Sequence, residues 1–243
     1  TIEDLAPLDQ FHTGGLFATR ALAQRAGIAA NDRVLDVGGG LGGPARVLAQ
    51  AFGAQVTVLD LTAAYCRIGE LLTERTHLTD RVHFKQGDAL DLPFDAGTFD
   101  VVWTQHSSMN IPDKKGLYTQ FHRVLRQGGR LAIHEVTAGT SSPIHFPALW
   151  AREASMSFLM SPDALRDLIL RAGFRELVWN DSTDWSLAWF KERLSAQQNA
   201  GVSPNTPSLQ LLLGSDFNVM ARNHVLNMQE QRIRIIEGVF ERV

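Results

Sequence analysis

The residues with the clearest chemical potential lie in one short run, Asp36-Val37-Gly38-Gly39-Gly40-Leu41-Gly42-Gly43. A β-branched segment precedes it and a helical one follows, so the run reads as strand, glycine loop, helix. Glycines permit a tight turn and let a ligand approach the backbone, while the helix beyond presents free N–H groups. Gly38, Gly40 and Gly43 satisfy the G-x-G-x-x-G spacing of dinucleotide sites. Asp60 closes the next strand about 20 residues on, where an acid would meet ribose hydroxyls. Taken alone, this loop suits a nicotinamide dinucleotide and S-adenosylmethionine almost equally.

Three further features separate the two. Asp36 stands two residues before Gly38, where a carboxylate repels a pyrophosphate and suits the ammonium of a methionine moiety. Gly87-Asp88-Ala89 follows a third strand, and Asp88 there can accept the exocyclic amine of adenine. Leu92-Pro93-Phe94-Asp95 then leads through Gly97-Thr98-Phe99-Asp100 into a fourth strand. From Arg33 to Glu135 the sequence resembles class I methyltransferases. The resemblance implies S-adenosyl-L-methionine as cofactor, held by Asp36, Gly38, Gly40, Asp60, Leu61, Asp88, Ala89 and Gln105. In that family the glycine segment takes the methionine end, the acid after the second strand takes the ribose, and the G-D-A segment reads the adenine. Gly39 stands where the family commonly has Cys or another small residue, a change that should leave binding undisturbed.

The acceptor side carries its own pattern. Asp9-Gln10-Phe11-His12-Thr13-Gly14-Gly15 precedes the first strand, and Trp103-Thr104-Gln105-His106 with Met109-Asn110-Ile111-Pro112-Asp113-Lys114 surrounds the end of the fourth. These segments resemble the sarcosine/dimethylglycine N-methyltransferase group and, more weakly, phosphoethanolamine methyltransferases. The resemblance implies a small-molecule acceptor methylated at an amine nitrogen. Asn110 replaces a His of the phosphoethanolamine enzymes, which counts against their substrate.

In open α/β sheets ligands bind beyond the carboxyl ends of the strands, so Gln105 and His106 are expected at the reacting methyl. His106 is the candidate general base: its ordinary pKa of about 6.5 leaves it largely neutral at pH 7. A role in shaping the loop fits it equally. Gln10, Phe11 and His12 read as part of a lid that excludes water and sets an aromatic wall near the sulfonium. Adjacent strand residues face opposite ways, so His134 rather than Glu135 is expected in the pocket. Asn110, Trp150 and Arg152 complete the candidate acceptor contacts, Arg152 as a fork for a carboxylate. Trp185, Trp189 and Phe190 read as core. His77, His83 and His122 lack partners at ligand spacing, so no metal is expected. Three readings compete with amine methylation. They are an O- or C-methyltransferase on a hydrophobic natural product, a non-catalytic S-adenosylmethionine-binding module, and an NAD-binding oxidoreductase.

The elements that must position these groups alternate in the manner of βαβ units. Strands are expected at Arg33–Val37, Gln55–Leu59, Val82–Gln86, Phe99–Thr104, Arg130–Val136 and Glu176–Asn180. Arg232–Arg242 is ambiguous in its periodicity, and its β-branched content favours a last strand. Helices are expected from about Gly43 to Phe52, at Ala63–Glu74, at Lys114–Leu125 with a glycine stop at Gly128-Gly129, and at Ala148–Leu159. Another opens at Ser161-Pro162-Asp163 and runs to Gly173. Trp185–Gln231 is mostly helical, broken near Gly201–Pro207. The expected fold is α/β, a Rossmann-like doubly wound, seven-stranded, mostly parallel sheet with a helical cap. It forms a single domain: residues 1–30 a lid, 31–138 the cofactor-binding core, 139–231 the cap with the sixth strand, and 232–243 the last strand.

Composition bounds the rest. The 243 residues are 44% hydrophobic, enough for one sizeable core. A formal net charge of −3 offers no footprint for nucleic acid or anionic lipid. The single cysteine, Cys66, excludes an internal disulfide, and no apolar run approaches the roughly 18 to 20 residues that span a bilayer. The acidic start, Thr1-Ile2-Glu3-Asp4, has no signal-peptide order and no Met, as in a piece of a longer chain. A cytoplasmic setting is expected; the oligomeric state is left open.

Overall fold

The computed structural model describes residues 1–200 and 208–243, the side chains of 196–200 excepted. Helices α1 (Ile2–Asp9) and α2 (Gly15–Arg25) lead into β1 (Arg33–Val37), α3 (Gly43–Phe52), β2 (Gln55–Asp60), α4 (Ala63–Arg75) and β3 (Val82–Gln86). There follow β4 (Phe99–Gln105), α5 (Lys114–Val124), β5 (Leu125–Ala138), α6 (Pro162–Arg171) and β6 (Phe174–Asp181). The chain ends with α7 (Thr183–Ala200), α8 (Gln210–Leu213), α9 (Phe217–Gln229) and β7 (Ile233–Arg242).

The seven strands form one sheet in the order β3-β2-β1-β4-β5-β7-β6. β1 to β5 run parallel, and β7 lies antiparallel between β5 and β6. This is the expected Rossmann-like sheet, with Ile233–Arg242 as its last strand. The order reverses between β1 and β4, which opens a crevice at their carboxyl ends.

Strand alternation divides the core in two. Val34, Val56, Val58, Val101, Trp103 and Ala132 pack against Leu22 and Ala23 of α2 and Val47 and Leu48 of α3. Leu35, Val37, Val102, Leu131 and Ile133 pack on the other face against Leu117, Tyr118 and Phe121 of α5 and Ile169 of α6. Near-continuous apolar strands are what a sheet covered on both faces requires.

Several local expectations are corrected. α5 is not stopped by glycine: it ends at Val124, and Leu125 already pairs with Phe99. Gly128 (φ 68) lies in the irregular start of β5, where the register shifts between Phe99 and Val101, so these glycines serve a bulge. Ala148–Leu159 forms no α-helix, only a 3₁₀ turn at Ala154–Met156. Its carbonyls are taken by side chains from elsewhere: Asn110 Nδ2 donates to those of Trp150 and Met156, and Lys114 Nζ to that of Phe158. Trp185 is not core; it is 39% exposed and stacks on Phe17. The break expected near Gly201–Pro207 lies outside the described residues.

One buried contact docks the N-terminal helices on the sheet. The Arg46 guanidinium on α3 donates to the Asp9 carboxylate at 2.6 Å and to Thr73 Oγ1 at 2.9 Å, and both charged side chains are essentially inaccessible. Burial pushes the Asp9 carboxyl up and the Arg46 guanidinium down, each against the pull of the other. Removing one member leaves the other charge buried alone. Asp9→Ala should therefore destabilise the fold by about 3–5 kcal/mol, measured by urea unfolding; a loss below about 1 kcal/mol would mean that water reaches Arg46 readily.

Candidate active site

β1 delivers Asp36 to the sheet's carboxyl edge, and the chain then turns through the glycine loop into α3. Asp36 is 2% exposed, and its Oδ2 has no hydrogen-bond partner. Burial, with the neighbouring Asp60 adding a like charge, pushes its pKa up to about 7. Asp60 at the end of β2 accepts from the amides of Gly40 (2.9 Å) and Thr62 (2.8 Å). Each carboxylate oxygen has a second lone pair, so hydroxyl groups can still be bound there. Leu61 beside it is 70% exposed, an apolar surface with nothing over it. Asp88 is exposed and turns its Oδ1 to the Leu90 amide, while Ala89 packs at the margin of the α5-side core.

These features fit S-adenosylmethionine. The orphaned, readily protonated Asp36 needs a cation, which an α-ammonium provides and a pyrophosphate does not. Asp60 can take ribose hydroxyls, and Leu61 offers a face to adenine.

The N-terminal segment lies over this loop. A side chain at Gly43 would strike the Asp9 carbonyl at 2.4 Å, and the Phe11 ring reaches Gly40 while meeting Tyr65 edge-on. Beyond Phe11 the chain enters a buried polar cluster built from β4, β5, α2 and α9. His12, His106 and His134 meet ring to ring, with centroids 4.7 Å apart for His106 and His134 and 5.8 Å for His12 and His134. Among the described residues, no group of three or more His, Cys, Asp or Glu side chains is disposed to hold a metal ion.

The protons in this cluster can be traced from one certain donor. The Trp103 indole only donates, and it donates to Gln105 Oε1 at 3.0 Å. Gln105 therefore presents its NH₂ to His134 Nδ1, 3.4 Å away. That leaves the His134 proton on Nε2, which is buried without a partner. His12 Nε2 contacts the Gly15 carbonyl at 3.1 Å and so carries its proton there. Thr19 Oγ1 joins Gln10, His12 and Gln105. Burial, the largest cause in each case, pushes His106 and His134 well below the usual imidazole range and His12 to about 4. The rings are neutral at physiological pH. His106 Nε2 is buried without a partner, and its backbone is left-handed at φ 49, a costly conformation for a non-glycine residue.

Of the sequence-predicted acceptor residues, Gln10, Phe11, His12, Gln105, His106 and His134 come together. Trp150 stands at the margin, its indole donating to Ser157 Oγ and its ring 6.0 Å from that of His224. Asn110 and Arg152 do not join. Asn110 is exposed and ties down the segment after β5, and Arg152 is exposed and donates to Asp216 at 2.5 Å. Sequence reasoning missed Thr13, Thr19, Ser107 and His224. His224 is buried on α9, its Nε2 3.5 Å from Thr13 Oγ1 and its ring 4.7 Å from Phe190. Nothing local marks it, because its neighbours lie far away in sequence; Thr13 alone had a signal, its place before Gly14-Gly15.

Comparisons with known proteins speak to the family and the fold. Residues 35–133 match the family model described as a methyltransferase domain. That span is an S-adenosylmethionine-dependent methyltransferase domain of class I, on the fold described above. A sterol 24-C-methyltransferase of Kluyveromyces lactis is 32% identical over 169 residues, covering 67% of this chain and 46% of that one. The chain spans about half the length of the first curated relatives it matches. Among solved structures, phosphoethanolamine N-methyltransferase 2 of Haemonchus contortus superposes with TM-score 0.81 at 19% identity, over 99% of this chain and 57% of that one. A Galdieria sulphuraria protein described provisionally as a sarcosine dimethylglycine methyltransferase gives TM-score 0.74 at 20% identity, over 93% and 85%. At such identities these two structures establish the fold.

Asp36 must give up its proton to pair with an ammonium. Affinity for S-adenosylmethionine should therefore weaken as pH falls below about 7, and Asp36→Asn should weaken it at all pH and remove that acid limb. Asp60→Ala should raise the dissociation constant about tenfold or more. Calorimetry from pH 6 to 8 checks both; unchanged affinity in Asp60→Ala would take the ribose away from Asp60.

Proposed function

We propose that the chain transfers a methyl group from S-adenosylmethionine to a small-molecule acceptor whose nucleophilic atom must lose a proton, foremost a hydroxyl oxygen, with His106 as the base. The domain match and the fitted cofactor residues support the transfer. The observation that carries the acceptor reading is the cluster of uncharged imidazoles beside the glycine loop, with His106 Nε2 buried and unpartnered.

When bound, the cofactor supplies an electrophilic methyl on a sulfonium, and the chain's own residues do the rest. Asp36 holds the methionine ammonium and Asp60 the ribose, while Leu61, Asp88 and Ala89 border the adenine. Phe11 and the lid behind it exclude water. His106 Nε2 takes the acceptor's proton, and Gln105 holds His134 as an Nε2–H donor toward the same space. Gln10 and His12 close the pocket through Thr19. Placement in a dry pocket can supply most of such a rate.

A charged acceptor finds little help here. The imidazoles are uncharged, Asp36 is assigned to the cofactor, and Arg152 is engaged by Asp216 at the surface. Arg25 and Glu237 lie beside His134 but are paired with each other, so among the described residues neither an ammonium nor a carboxylate meets a free countercharge in the cluster. The relatives' acceptors, a sterol carbon in one and phosphoethanolamine in another, do not choose between classes. The amine reading drawn from the sequence resemblance is therefore placed second.

Radiolabelled methyl transfer to a panel of phenols, sterols, sarcosine and dimethylglycine tests this. Phenols should turn over; turnover of sarcosine or dimethylglycine alone would sink the proposal. His106→Ala should lower kcat about a hundredfold or more while leaving cofactor affinity nearly intact. With His106 held well below its ordinary pKa, kcat at saturating cofactor should show no imidazole limb between pH 8 and 6. A limb near 6.5 that disappears in His106→Ala would mean that the ring is solvated.

A further inference from the structure

Glu135 is the neighbour of His134 that the site does not use. It is fully buried on the α5 face of the sheet, below the crevice. Its Oε1 lies 3.1 Å from Thr104 Oγ1, Thr104 Oγ1 lies 2.6 Å from Ser107 Oγ, and Ser107 Oγ lies 3.1 Å from the Val37 carbonyl. Three oxygen–oxygen contacts in line require three protons. The two hydroxyls carry two.

The carbonyl of Val37 can only accept, so Ser107 donates to it. Thr104 then has to donate to Ser107 and has nothing left for Glu135. The third proton must sit on the carboxyl group. If Glu135 were ionised it would claim the Thr104 proton, and either the 2.6 Å contact or the bond to Val37 would be lost.

The end of this chain touches the cofactor loop. Val37 immediately precedes Gly38, and a Cβ on Gly38 would fall 2.4 Å from Ser107 Cβ. We propose that Glu135 is a positioning residue that, as the neutral acid, donates to Thr104 and through Thr104 and Ser107 fixes the first turn of the S-adenosylmethionine loop.

Burial and the neighbouring polar groups pull Glu135 in opposite directions, and burial is the larger. Burial pushes the Glu135 carboxyl up to about 7. Against burial, the hydroxyl and amide of Ser108 after β4 lie toward it and favour ionisation, as does Lys114 from α5, although the Lys114 Nζ donates to the carbonyls of Ser108, Ile111 and Phe158. Tyr118, also on α5, is kept a neutral phenol by burial. On the neighbouring strands its partners are Thr104 of β4 and Ile236 of β7, neither of which titrates. Glu135 Oε2 and the Tyr118 hydroxyl have no partner.

The inference rests on the cofactor reading above, and the test separates the two. Dissociation constants for S-adenosylmethionine and S-adenosylhomocysteine are measured by calorimetry from pH 6 to 9 on the full chain. Glu135→Gln keeps an N–H donor toward Thr104 at every pH, whereas Glu135 loses its proton. The ratio of wild-type to Glu135→Gln dissociation constants should therefore rise about tenfold across this range. Asp36 and the ligand's own amine titrate in both proteins and cancel in the ratio. Glu135→Ala should bind weakly even at pH 6. A flat ratio, or Glu135→Gln as weak as Glu135→Ala at pH 6, overturns the role of Glu135 alone. Failure of the wild type to bind either ligand overturns the cofactor reading beneath it. Should Glu135→Gln not fold, Ser107→Ala serves. Its affinity should lie well below wild type at pH 6 and converge with it at pH 9, and a constant ratio overturns the proposal.

Discussion

Taking a carboxylate and a guanidinium out of water costs several kcal/mol per ion, and the fold does so at Asp9 and Arg46, where no solvent reaches either group. The pair holds only while α1 lies flat on α3, so it fixes the N-terminal segment where Phe11 meets Gly40 and His12 meets His106 and His134. Without that docking the three imidazoles would lose one wall and regain water. Their neutrality comes mainly from burial, so the chemistry of the pocket depends on a contact at its margin.

Dryness sets a common protonation state across the site. Histidines that would ordinarily be partly charged near neutral pH are neutral bases, while Asp36 and Glu135, ordinarily ionised, are poised near 7. Desolvation is the largest cause in every case, and it always disfavours the charged form. The two acids face different fates. Asp36 sits under the glycine loop, where a cationic ligand can draw it into ionisation. Glu135 sits on the α5 face of the sheet, among Thr104, Ser108, Lys114 and Tyr118, away from the crevice.

The two-residue period of β5 separates these functions. His134 falls on the face of Ala132, Trp103 and Gln105, and Glu135 on the face of Leu131, Ile133 and Tyr118. In the proposed reading one face carries the proton chemistry and the other supports the cofactor turn, while the carboxyl end of β4 contributes to both through Gln105 and Thr104.

Much of this was legible in the sequence. The glycine loop, Asp36, Asp60 and the alternation of strands and helices are local: backbone conformation and residue type determine them within a few positions, and they recur at readable spacing. The preference for His134 over Glu135 followed from strand period alone. Other features needed partners from afar. The Ala148–Leu159 run has helical content, yet Asn110 and Lys114 claim its carbonyls, and Gly128-Gly129 resembles a helix cap only until the pairing of Leu125 is known. Arg152 looked available until Asp216 met it. Side-chain identity and period fixed the cofactor loop because its geometry is made by consecutive residues. The histidine cluster, the Asp9–Arg46 pair and the proton count at Glu135 depend on which distant groups are brought together and how much water they lose, which only the tertiary structure decides.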